Sequence, residues 1–377
     1  MRHAPLRRRV AGAGLFLAVG VCSAAQTFTV ADFAALDKID VHVHINSSGS
    51  ALLDAAEADH FRLLTINVDY PDFPPLPEQA RIARELVANH PSTLAYATTF
   101  SMQGWDRPDW QQQVIRQLDA AFSAGAVAAK VWKNIGMEFR DSQGRLVMID
   151  DPKFDAIFDF IRERRRVLIG HQGEPHNCWL PLAQMTVNND QEYFREHPQY
   201  HMFLHPELPS YEEQMAARDR MLAKNPDLKF MGAHLASLEW SVDRLAAFLD
   251  RYPNAVVDLA ARMGQVQYQS NRERSKVRRF FIRYQDRLLY GTDLSQDPGG
   301  DAQELKQAAH DMWLRDWKYL ATELTFRVPE LDSPVQGLNL PEGVVRRIYS
   351  GNAERWFAPA WDGHARHDAL PDVQESK

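Results

Sequence analysis

The sequence predicts an α/β fold, a (β/α)8 or TIM barrel with an insertion after the fifth strand. Three observations predict it. Eight short apolar runs recur along the chain, at 39–43, 63–68, 94–99, 127–132, 167–169, 229–233, 255–259 and 288–290. They are rich in Val, Ile, Leu and Ala and barely alternate with polar residues, the pattern of parallel strands covered on both faces. Amphipathic helical patterns lie between them, giving the βα repeat of a closed barrel. No glycine-rich loop follows the first run, where a nucleotide-binding doubly wound sheet would carry one.

Taken in order, the chain starts with a segment that stands apart. Arg2, Arg7, Arg8 and Arg9 precede an apolar stretch over 10–21 and then Ser23-Ala24-Ala25. A basic start, a short apolar run and small residues at −3 and −1 describe a secretory signal over 1–25, cut before Gln26. The expected location is therefore periplasmic or secreted, with no membrane attachment after cleavage. Helices are expected from Pro77-Glu78 to Asn89, from an Asp109 cap through Ala124, and from Asp151-Pro152 to about Arg165. Later ones are expected at 211–224, 238–252, 272–284 and 302–324, with a closing helix over 343–357. The stretch 173–210 is too long for an ordinary loop and is dense in His, Pro and aromatics, so it is expected to shape a pocket. The expected barrel domain then runs over 26–357, and a polar tail over 358–377.

Net charge is −7 over 377 residues, and −11 once the four leader arginines are removed. That acidity, without a basic stripe, argues against a nucleic-acid partner and leaves a small molecule as the expected one. Oligomeric state stays open, a homo-oligomer included. Cys178 is the one cysteine left after the leader, so no intrachain disulfide is available.

In a βα barrel chemistry sits at the C-terminal ends of the strands. The first strand ends in Asp40-Val41-His42-Val43-His44, the fifth at His171, the sixth at His234 and the eighth at Gly291-Thr292-Asp293. Two histidines at i and i+2 on a strand share a face and can reach one metal. A single histidine at a strand end is usually structural, and His-x-His alone is weak. Four histidines and an aspartate, each at such an end, are not readily produced by chance. Imidazoles plus a carboxylate suit catalytic Zn2+, with Mn2+ or Fe2+ as substitutes.

These pieces resemble the amidohydrolase superfamily, in its amidohydrolase-2 branch of metal-dependent barrel hydrolases and decarboxylases. The matching segments are Asp40-Val41-His42-Val43-His44, Gly170-His171, Gly232-Ala233-His234-Leu235, Tyr290-Gly291-Thr292-Asp293 and Gly351-Asn352-Ala353, spread over 39–357. The resemblance implies that His42 and His44 bind the more buried metal and that His171 is a ligand. It implies that Asp293 touches the metal and shuttles protons. His234 is either a ligand, as in two-metal members, or a catalytic group beside the substrate. Lys130 falls where some members carry a carbamylated lysine bridging two ions; the alternative is a charged, ion-paired Lys130. Lys130 and Lys133 should face opposite sides of a regular strand.

Glu174, Arg262 and Lys133 are candidate substrate-binding residues, with a structural ion pair as the competing reading for each. Trp132, Trp105, Trp110 and Trp179 are candidates for an apolar wall. The expected reaction is hydrolysis of an amide, ester or lactone by water activated on one or two metal ions. Non-oxidative decarboxylation at the same site is the alternative, and a non-catalytic binding protein the third reading.

Overall fold

The computed structural model describes residues 26–358 and 360–361. The leader expected over 1–25 and most of the expected tail lie outside them. Nine parallel strands form one curled sheet: β1 (Lys38–Ile45), β2 (Phe61–Ile66), β3 (Leu94–Thr99), β4 (Ala128–Val131), β5 (Val167–Gly170), β6 (Phe230–Gly232), β7 (Ala255–Asp258), β8 (Leu288–Leu289) and β9 (Leu294–Gln296). Their order follows the chain from β8 back to β1, with β9 on the far side of β1.

The ninth strand is the second half of a broken eighth. β8 pairs with β7 and β9 pairs with β1. Between them Val41 N donates to Tyr290 O at 3.0 Å and Asp293 N donates to His42 O at 2.8 Å. Those bonds close the barrel. The sequence pattern shows only the apolar part, because two of the three residues of Leu294–Gln296 are polar. At the break, a Cβ on Gly291 would lie 3.1 Å from His42 Cβ, so the close approach of the two chains favours glycine there.

Side chains sort by layer. Ile39, Val41, Leu64, Ile66, Ile169, Met231, Val256 and Leu289 form an inner cluster, whereas Val43 and Ile45 pack with the outer helices. Inward parity thus changes along β1. The cause is a bulge between Asp40 and Val43, where the register against β2 shifts. An extra residue in a strand re-aims the side chains beyond it. Here it lets Val41 fill the barrel floor while His42 and His44 still face the mouth. Ala360 and Trp361 also join the inner cluster, and Trp361 Nε1 donates to Leu63 O at 3.1 Å. The packed chain therefore runs past the expected start of the tail.

Helices mostly fall where the periodicity puts them, including Leu76–Asn89, Trp110–Ser123 and Tyr211–Lys224. The helix expected over 272–284 in fact runs Met263–Arg283, interrupted at Glu273. Its polar first half carries no clear stripe. Helix Ala51–Ala58 was not expected at all. Asp109 does not cap; its carboxylate takes Gln113 and Arg107 side chains instead. Asp151 does cap, through Lys153 N. The 173–210 stretch holds four 3-10 turns and a helix, Asn188–Glu196, around a small core of Met137, Cys178, Met185, Phe194 and Met202.

Candidate metal centre

Four strand ends deliver the predicted side chains to one place. On β1, His42 is fully buried, and its Nδ1 donates to Asp258 Oδ2 at 2.8 Å. His44 Nδ1 donates to Ile66 O at 2.7 Å. A carbonyl oxygen can only accept, so His44 donates through Nδ1 and turns its Nε2 inward. Asp293 Oδ1 lies 3.1 Å from His44 Nε2 and 3.3 Å from His42 Nε2. Asp293 itself sits just past the break, at φ 73, in the left-handed region. A carboxylate oxygen facing the Nε2 atoms of two imidazoles is an arrangement that a cation can complete.

His171 and His234 stand beside this cluster. Their rings are 4.3 Å apart, and His234 is 4.8 Å from His42. His234 Nδ1 donates to Ala260 O at 3.0 Å, so its Nε2 is bare in the neutral ring. His171 Nε2 is buried with no hydrogen-bond partner among the described residues. An orphaned buried nitrogen is uncommon, and metal ligation is one of the few roles that accounts for it. Burial holds the imidazoles of His42, His171 and His234 well below the usual histidine range, as neutral rings, the form that binds metal. The donor set fits a divalent cation.

His234 is reached by an unusual backbone. His234, Leu235, Ala236 and Ser237 all have positive φ, from 55 to 58°. A left-handed turn of non-glycine residues costs about 1–2 kcal/mol per residue. Surrounding groups fix it. Asp258 Oδ1 accepts from His234 N at 2.6 Å, Arg218 donates to Ala236 O, and Tyr211 OH donates to Ser237 O. Ser237 Oγ donates to Gln172 O at 2.9 Å, tying the turn to the residue after His171. Strain of this kind gathers at functional sites.

Lys130 is buried and points inward; its Nζ donates to His42 Nε2 at 3.1 Å. It makes no ion pair among the described residues, so the ion-paired alternative has no contact partner. Burial pushes its ammonium down to about 8, against the pull of Asp293 and Asp258. Lys133 also reaches the site's surroundings, where it pairs with Glu174. Because β4 ends at Val131, strand parity does not apply to Lys133. Arg262 is about nine-tenths buried; it donates to Ala261 O, while its Nε has no partner and no carboxylate pairs with it among the described residues.

Aromatic rings lead away from the His–Asp cluster. Phe73 is 5.2 Å from His44 and 5.1 Å from Tyr70, which is 5.0 Å from Trp132. Trp105 and Trp110 pack in the outer core instead. Cys178 is buried, donates to Tyr200 O, and burial pushes its thiol up, so it packs rather than reacts.

Sequence reasoning missed Asp258 and gave no role to Asp40. Asp40 accepts from Thr292 Oγ1 at 2.6 Å and Trp313 Nε1 at 3.0 Å, locking β1 to the broken strand from behind. Burial raises its carboxyl to about 6 despite these bonds. In both cases the signal was a lone carboxylate inside an apolar strand.

The sequence matches the amidohydrolase family over residues 39–358. The chain belongs to the amidohydrolase-2 family. That family is metal-dependent and contains both hydrolases and decarboxylases. No curated protein matches the chain. Among solved structures, an uncharacterised TIM-barrel protein of Bordetella bronchiseptica is 13% identical, with a TM-score of 0.50, covering 86% of this chain and 99% of its own. A dihydroxybenzoic acid decarboxylase of a Polaromonas species, solved with manganese and the inhibitor 2-nitroresorcinol, is 14% identical, with a TM-score of 0.50 and coverage of 85% and 96%. A protein of Acinetobacter baumannii named as a probable 2-pyrone-4,6-dicarboxylic acid hydrolase is 10% identical, with a TM-score of 0.45 and coverage of 85% and 99%. For the first two, at these identities, the likeness is one of fold.

Proposed function

We propose that this amidohydrolase-2 member is an exported, metal-dependent hydrolase that cleaves a C–N or C–O bond in a small amide, ester or lactone. The observation that carries the reading is Asp293, whose Oδ1 meets His42 and His44 while its side chain stays 31% exposed. It alone among the ligand candidates combines that contact with access to the solvent side. His42, His44 and Asp293 would hold one ion, most simply Zn2+, and His171 and His234 would hold or complete a second. When bound, the ion lowers the pKa of coordinated water toward about 7 and polarises the substrate carbonyl.

Asp293 takes the proton from the attacking water and passes it to the leaving nitrogen or oxygen. His234 has its proton committed to Ala260 O, which favours a ligand role over donation to a substrate carbonyl. Lys130, 3.1 Å from His42 Nε2 and without a carboxylate contact, would help hold the metal as a carbamate. Lys133, Glu174 and Arg262 serve the substrate. Export belongs to the same proposal and rests on the leader pattern over 1–25.

Decarboxylation is the second reading. It is favoured by the buried, unpaired Arg262 and the Phe73–Tyr70–Trp132 wall, which suit a planar carboxylate. Turnover in 18O-labelled water separates the two. Label in the product without CO2 release supports hydrolysis, whereas CO2 release without label rejects it. Export is checked by fractionation and by N-terminal sequencing, which should read from Gln26.

A further inference from the structure

We infer that Asp258 is a positioning residue that organises two ligand histidines at once, fixing the proton of His42 and the backbone of His234 through its two oxygens. Oδ2 accepts from His42 Nδ1 at 2.8 Å. Oδ1 accepts from two backbone amides, His234 N at 2.6 Å and Ala260 N at 3.2 Å. The side chain is wholly buried on β7, between the strand ends it serves. His42, His234 and Asp258 also lie close enough to suggest a metal triad. The hydrogen bonds argue otherwise, because Asp258 already receives three N–H groups and meets the Nδ1 side of His42. The opposite nitrogen of that ring faces Lys130 and Asp293.

The consequences are specific. A carboxylate at Oδ2 keeps the proton on Nδ1, so Nε2 keeps the lone pair that a metal needs. Oδ1 anchors the first residue of the left-handed turn, and so places the His234 ring. Asp258→Asn separates the two duties. Its amide oxygen still satisfies the backbone donors, but its NH2 faces His42 Nδ1 and drives the proton to Nε2. The structure-preserving variant should therefore lose the tautomer and keep the turn.

The test uses 15N-histidine NMR of the metal-free full chain, with His42→Gln to assign the resonance. Wild type should show His42 protonated on Nδ1, and Asp258→Asn should show it on Nε2. Zn2+ affinity, measured by chelator competition, should fall about 10–100-fold in the variant at unchanged circular dichroism. Wild-type His42 protonated on Nε2 overturns the inference outright, whether or not the variant folds. So does a folded variant with the wild-type tautomer and wild-type affinity. The affinity arm rests on the proposed metal centre and the tautomer arm does not. Wild type that takes up no ion, yet shows the Nδ1 proton, would sink the centre and leave the role of Asp258 intact.

Discussion

The two halves of the candidate site are held by different means. On the β1 and β8–β9 side, the outer nitrogens of His42 and His44 are tied to Asp258 and Ile66 O, and Asp293 joins them in front. On the β5 and β6 side, His171 keeps a buried nitrogen without a partner, and His234 hangs from four residues in the left-handed region. Side-chain hydrogen bonds organise the first half, whereas the second adds a run of four left-handed residues to its own hydrogen bonds. A half fixed by bonds suits a permanent ion. One fixed by backbone, with a nitrogen free, suits whatever varies: a second ion or the substrate.

Breaking the bonded half should have the largest effect. Asp293→Asn keeps the shape but removes the base, and kcat should fall about 10²–10⁴-fold on an amide, ester or lactone that the wild type turns over. An unchanged kcat would remove Asp293 from the chemistry. His171→Ala should instead lower activity while leaving one ion bound, as elemental analysis would show; complete loss of metal would erase the contrast between the halves.

Behind β1 and β8, Tyr290 OH donates to Asp316 at 3.0 Å, and burial raises that carboxyl to about 7. The folded state then holds a proton that the unfolded chain releases near pH 3.8. Stability from this group is present below that pH and is lost as pH rises through about 7. Asp316→Asn should therefore gain on the order of a few kcal/mol above neutrality and nothing at pH about 4, in urea unfolding at both pH values. A gain at acid pH alone would reverse the sign and reject the buried-proton account.

The strained half has its own pair of tests. A Cβ on Gly232 would meet Ala236 Cβ at 2.5 Å, so Gly232→Ala should cost about 1–3 kcal/mol. Ala236→Gly removes a side chain at φ 55 and should change stability by less, about 1 kcal/mol or under, toward stabilisation if strain outweighs lost packing. Equal penalties for both would mean that packing, not backbone strain, governs the turn.

The sequence made the barrel legible because buried parallel strands read as apolar runs, and a polar residue closing such a run stands out. His42, His44, His171, His234 and Asp293 all carry that mark. Asp258 carries it too, but a lone aspartate inside Ala255–Asp258 offers no spacing partner until the fold brings His42 to it. The bulge in β1 and the break after β8 were hidden, since both are decided by register against a neighbouring strand. The left-handed turn was hidden for another reason. His234-Leu235-Ala236-Ser237 contains no Gly or Asn, and its geometry is imposed by Asp258, Arg218 and Tyr211 from distant parts of the chain.

The most direct measurement is metal content by elemental analysis of the reconstituted protein, prepared with bicarbonate, for wild type, Lys130→Ala and the His42→Ala/His44→Ala double variant. The account predicts at least one ion per chain in wild type and at least one fewer in the double variant. Two ions falling to one in Lys130→Ala would establish the bridging carbamate. No ion in reconstituted wild type, or the same content in the double variant, would contradict the metal centre itself.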